Sequence, residues 1–107
     1  MKDYDSFMER IYRLRELLPK EELLAQLAEE AAELSFAALK YRRALDRTNP
    51  TPLTADEAFD LFKEEVSDVL QLLDVLGFSE DENLLGEILT IQDAKYDRWL
   101  GRIEEKM

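Results

Sequence analysis

Two pairs of carboxylates at helical spacing stand out in this sequence, Glu30-x-x-Glu33 and Glu65-x-x-Asp68. Residues three apart on a helix share one face. On a wheel at about 100° per residue, Glu65 falls inside an apolar stripe centred on Val69, and Asp68 lies on its flank between Leu61 and Val75. Glu30 falls beside Leu23, Leu27 and Leu34, with Glu33 one step further round, near Gln26. A carboxylate held in such surroundings without a partner is costly, and four together add like-charge repulsion. Protonation, pairing with Lys or Arg, or ligation of a shared cation relieves that cost. A purely carboxylate ligand set suits a hard ion, Mg²⁺ or Mn²⁺, rather than zinc. The competing arrangement is a pair of buried bridges to basic residues, for which Arg42, Arg43, Lys95 and Arg98 are the candidates.

Composition narrows the chemistry further. The 107 residues contain no histidine and no cysteine, so imidazole and thiolate ligands, disulfides and the commonest general base are all excluded. A di-iron bundle needs Glu-x-x-His on two helices and is excluded with them. The net charge of −11 opposes binding to a nucleic acid polymer. It also opposes a free triphosphate, so any phosphate chemistry must work through a divalent cation. No apolar run reaches the ~20 residues of a membrane span. The opening Met1-Lys2-Asp3-Tyr4-Asp5 lacks the apolar stretch of a signal peptide, so a cytoplasmic location is expected.

A third set is basic. Lys95, Arg98 and Arg102 share a helical face bordering Tyr96, Trp99 and Ile103, where they could meet the outer oxygens of a polyphosphate or simply face solvent. Lys40, Arg42 and Arg43 sit where they would complement the dipole at the end of a helix.

The elements that must position these groups are four helices in one domain, 1–107. The first is expected from about Asp3 to Leu17. The second starts at Pro19, a residue suited to a first turn, and runs to about Asp46. Arg47 to Leu53 is a proline-containing loop. Thr54 with Glu57 forms a capping box opening the third helix, and Gly77 is placed to end it. Ser79 with Glu82 suggests a second capping box opening a fourth helix to about Glu105, interrupted by the poor helix formers Gly86 and Gly101. The expected core comprises Tyr4, Phe7, Met8, Ile11, Leu14 and Leu18 from the first helix, and Leu23, Leu24, Leu27, Ala31, Leu34, Ala38 and Leu45 from the second. Ala58, Phe62, Val66, Val69, Leu73 and Leu76 from the third, and Leu85, Leu89, Tyr96, Trp99 and Ile103 from the fourth, complete it. Apolar stripes with short connections predict an antiparallel four-helix bundle.

The stretch Leu27-Ala28-Glu29-Glu30-Ala31-Ala32-Glu33-Leu34, followed by Glu64-Glu65-Val66-Ser67-Asp68-Val69-Leu70, resembles the MazG-like all-α nucleoside triphosphate pyrophosphohydrolases, whose signature is E-x-x-E on one helix and E-x-x-D on the next. The resemblance covers about two-thirds of the chain, through the second and third helices, the loop between them and, less specifically, Lys95 to Arg102. It implies Mg²⁺-dependent hydrolysis of a nucleoside or deoxynucleoside triphosphate to the monophosphate and pyrophosphate, by attack of water at the α-phosphorus. Glu30, Glu33, Glu65 and Asp68 would then be the metal ligands, with Mn²⁺ an alternative ion, and Lys95 and Arg98 would approach phosphate oxygens. Without histidine a carboxylate must take the proton, and Glu30 or Glu33 is the expected base. Gln26 or Gln92 could read a base edge or cap a neighbouring helix; Phe36, Tyr96 or Trp99 could stack on the base or serve as core. The resemblance further implies a homodimer, sometimes doubled to a tetramer. The span from Glu33 to Glu65 is longer than the pattern suggests. Two other readings are a relative acting on phosphoribosyl-ATP and a non-catalytic helical module.

Overall fold

A computed structural model describes residues 4–47 and 49–107, with the side chain of residue 4 outside the description. Four α-helices account for the regular structure, and no strand occurs among the described residues: α1 (Tyr4–Leu17), α2 (Lys20–Asp46), α3 (Ala55–Val75) and α4 (Glu82–Glu105). None of them is long and apolar enough to cross a membrane. The start expected at Asp3 lies outside the described residues. The chain divides into two compact units, Met1–Leu76 and Gly77–Met107.

In the first unit α2 and α3 form an antiparallel pair, early residues of one meeting late residues of the other. Pro19 stands at the N-cap of α2, its missing N–H costing nothing there. Arg47 ends the helix at φ 57°, unusual for a side-chain-bearing residue, and its guanidinium donates to the carbonyls of Thr51 and Leu53 at 3.0 and 3.3 Å. Those bonds tie the loop to the end of α2. The capping box at Thr54 is complete: its hydroxyl accepts from the Glu57 N–H, and the Glu57 carboxylate accepts from the Thr54 N–H, each at 3.1 Å. Gly77, at φ 95°, follows the end of α3 where a left-handed residue is needed.

The innermost contacts unite Ile11, Leu23, Leu72 and Val75, flanked by Met8, Leu14, Leu18, Leu27 and Leu76. Further along the α2–α3 seam, Ala37, Ala44 and Ala58 are buried. Beyond them Tyr41, Phe59 and Phe62 cluster, with ring centroids 5.3 to 6.5 Å apart. Arg15 fastens α1 to the end of α3 by donating to the carbonyls of Val75 and Asp74 at 2.6 and 3.0 Å.

Several expectations fail here. Leu24, Ala31, Ala38 and Leu45 of α2 and Phe7 of α1 are exposed rather than core. The buried positions are instead Ala37 and Ala44, and Leu72 and Val75 on α3. The wheel locates a stripe, but which edge of it is covered depends on the crossing of the helices.

The second unit is dominated by α4. Its N-cap is Asp81, whose carboxylate accepts from the Leu84 N–H at 3.1 Å, so the predicted Ser79–Glu82 box is not the start. Aspartate at the N-cap is favoured by its charge as well as its acceptor. The helix runs through Gly86 and Gly101 without a break. It contains no buried residue, and Leu85, Leu89, Tyr96, Trp99 and Ile103, expected in the core, are all exposed.

Candidate metal centre

The α2–α3 pairing brings the two acid motifs together. Glu30 and Glu33 lie on consecutive turns of α2 and Glu65 on α3, and each offers an oxygen within 4.8 Å of the others. Asp68, one turn on from Glu65, stands outside this tight group, but its charge acts on both Glu30 and Glu65. Glu30, Glu65 and Asp68 are half-buried; Glu33 is exposed and forms the open edge.

The environment is hostile to negative charge. The Oε2 atoms of Glu30 and of Glu65 are both sealed from solvent and have no hydrogen-bond partner. No Lys or Arg among the described residues of the first unit pairs with any of the four acids. The bridges to Arg42 or Arg43 considered from the sequence do not form; Arg42 lies 3.6 Å from Asp46 instead. Loss of hydration, followed by the charges of Glu33, Asp68 and Glu65, pushes the Glu30 carboxyl up to about 7. The same desolvation, with the charges of Glu33 and Asp68, raises Glu65. The two carboxyls approach closely enough for a proton on Glu30 to be shared toward Glu65. Because both residues keep an exposed portion, local sealing of one oxygen drives these shifts rather than deep burial.

A divalent cation fits this donor set. It needs hard oxygen ligands on converging side chains, and two stranded oxygens with no basic neighbour are what such an ion would satisfy. Three carboxylates, with Asp68 as a fourth, also leave negative charge in excess of the ion's own.

The remaining predicted residues fall in two places. Gln26 is half-buried on α2, one turn before Glu30. Lys95 and Arg98 are exposed on α4, where with Trp99 and Arg102 they line an open depression of about 430 Å³. Phe36, on α2 one turn after Glu33, is 66% exposed and contributes nothing to the core. Two features escaped sequence reasoning. One is a groove of about 490 Å³ between α1 and α3, lined by Phe7, Arg10, Lys63, Leu70 and Asp74 among others. The other is the clasp of Arg15 on the end of α3. Neither has a local sequence signal, since each depends on contacts some sixty residues apart. Comparison of the chain with protein-family models, with curated proteins and with solved structures finds no match.

Proposed function

We propose that this chain is a Mg²⁺-dependent pyrophosphohydrolase of nucleoside or deoxynucleoside triphosphates, a MazG-like four-helix bundle assembling as a homodimer or a pair of dimers in the cytoplasm. The observation that carries the reading is the pair of sealed, unpartnered oxygens on Glu30 and Glu65 within a cluster of three carboxylates. Glu30, Glu33, Glu65 and Asp68 would hold the ion, with Mn²⁺ as a substitute. When bound, Mg²⁺ supplies neutralisation of the charge that develops on phosphate oxygens.

The chain's own groups then divide the work. Glu30 or Glu33 takes the proton from the attacking water, through a carboxylate oxygen that the ion leaves free. A bond forms from the water oxygen to the α-phosphorus, and the bond from that phosphorus to the bridging oxygen of the leaving pyrophosphate breaks. Lys95 and Arg98, exposed and without an ion pair among the described residues, are suited to outer phosphate oxygens. Gln26 carries both a donor and an acceptor for a base edge. Incubation with a panel of NTPs and dNTPs plus phosphoribosyl-ATP, with Mg²⁺ or with chelator, tests the reading by pyrophosphate release. Turnover of a triphosphate only with Mg²⁺ supports it. Turnover of phosphoribosyl-ATP alone moves the chain to that substrate, and no turnover leaves a non-catalytic module.

A further inference from the structure

The side of α2 turned away from α3 is apolar, unusually small in its side chains, and uncovered within its unit. Leu24 and Leu39 are 48% and 44% exposed, and Ala28, Ala31, Ala32 and Ser35 between them are exposed as well. From Leu24 through Ala28, Ala31 and Ser35 to Leu39 the steps are of three or four residues, so these positions share one helix face. Burying them would recover hydrophobic free energy that the exposed face forgoes.

We propose that this face binds the same face of a second copy, α2 against α2 in antiparallel array, about a two-fold axis between Ala31 and Ala32. The order of residues about that point is nearly palindromic. Ala28 falls opposite Ser35 of the second copy, and Leu24 opposite its Leu39. At the ends Glu21 falls opposite its Arg42, so every pairing is compatible and occurs twice. A two-fold contact requires this self-complementarity, in which residue i meets j and j meets i. Parallel packing would instead set Glu21 on Glu21 and Arg42 on Arg42. The small residues at the centre let the helix axes come within about 8 Å, and the seam from Glu21 to Arg42 is about 30 Å long. Both end residues are available: Glu21 has no ion pair among the described residues, and Arg42, its side chain 77% exposed, holds only the long contact to Asp46. The acidic first third of α2 and its basic last third thereby neutralise each other across the axis.

This inference gives a surface to the assembly proposed above but rests on α2 alone, and its test reads association rather than turnover. The full chain is measured by sedimentation equilibrium, with circular dichroism to confirm unchanged helicity. Glu21→Lys and Arg42→Glu should each weaken the dimer about tenfold, and the two together in one chain should restore it, because only the double variant regains opposite charges across the axis. The chain has no native cysteine, so cross-linking reads cleanly. Oxidation of a mixture of Ala28→Cys and Ser35→Cys chains should give a disulfide-linked heterodimer, and Ala28→Cys alone should not. A monomeric chain would overturn the proposal. So would a dimer indifferent to both charge reversals, or one whose double variant is weaker than either single; such a dimer would be seated elsewhere, on the α4 stripe or the α1–α3 groove.

Discussion

Two neighbouring stretches of the seam between α2 and α3 are built from opposite materials. Toward the loop that joins the helices, Tyr41, Phe59 and Phe62 contact one another, and Ala37, Ala44 and Ala58 are buried. Midway along the seam, between these rings and the Leu23–Leu72 core, Glu30, Glu33 and Glu65 converge with no ion-pair partner and two oxygens stranded. Both stretches lie on the same pair of helices, held by the same crossing. The rings have found their partners in one another. The stranded oxygens have none, and the proposed cation is what would satisfy them. On that proposal, the difference separates residues that serve folding from residues that serve a ligand.

The strongest way to break this contrast is Glu65→Gln. The variant should fold, lose Mg²⁺-dependent turnover by about 100-fold or more, and melt at a higher temperature than the parent in chelator. Full activity in Glu65→Gln would remove the residue from the ion's ligand set. Titration of Mg²⁺ into the metal-free chain should raise the melting temperature, by an amount equivalent to about 2.7 kcal/mol at a hundred times Kd. The same titration of Glu65→Gln should give little or no shift; equal shifts in both would place the ion elsewhere.

In the aromatic stretch Tyr41→Ala should lower unfolding stability by about 2 kcal/mol, since a half-buried ring leaves a gap between two others. Mg²⁺ affinity should survive, because no acid is altered. An equal loss of ion binding would show that the two stretches act as one. Loss of the capping hydroxyl in Thr54→Ala is smaller, about 1 kcal/mol by denaturant unfolding, and likewise should spare the ion.

The pH dependence sharpens the contrast at the finest grain. Folding raises the proton affinity of Glu30, from an ordinary 4.5 to about 7. The folded metal-free chain therefore binds more protons than the unfolded chain over that interval. Its stabilising share is fully present below pH 4.5 and disappears as pH rises through about 7. Melting in chelator should thus decline between those values, more steeply than in Glu30→Gln. Mg²⁺ displaces the same proton, so its affinity should rise over the same interval. Identical slopes for parent and Glu30→Gln would locate the titration at another group.

The convergence of Glu30, Glu33 and Glu65 was legible because a carboxylate on an apolar stripe is a contradiction visible in a wheel. The Thr54–Glu57 box was legible because its chemistry is local, two side chains and two backbone groups within one turn. The start of α4 was misread, since Ser79 and Asp81 are both competent caps and only the backbone path selects between them. Alanine was the hardest residue to place. Ala37 and Ala44 are buried while Ala31 and Ala38 are exposed, and a methyl group carries no hint of which neighbour will approach it. The exposed stripe of α4 makes the same point from the other side: periodicity identifies a face and is silent about what meets it.

The clasp of Arg15 has a consequence for the order in which the chain matures. Its two acceptors exist as a pair only after α3 has wound to its last turn. For this anchor α1 therefore waits on residues made some sixty positions later. Without it, as in Arg15→Ala, the backbone amides of α1 should exchange sooner than those of the acid-bearing hairpin, whose helices hold each other.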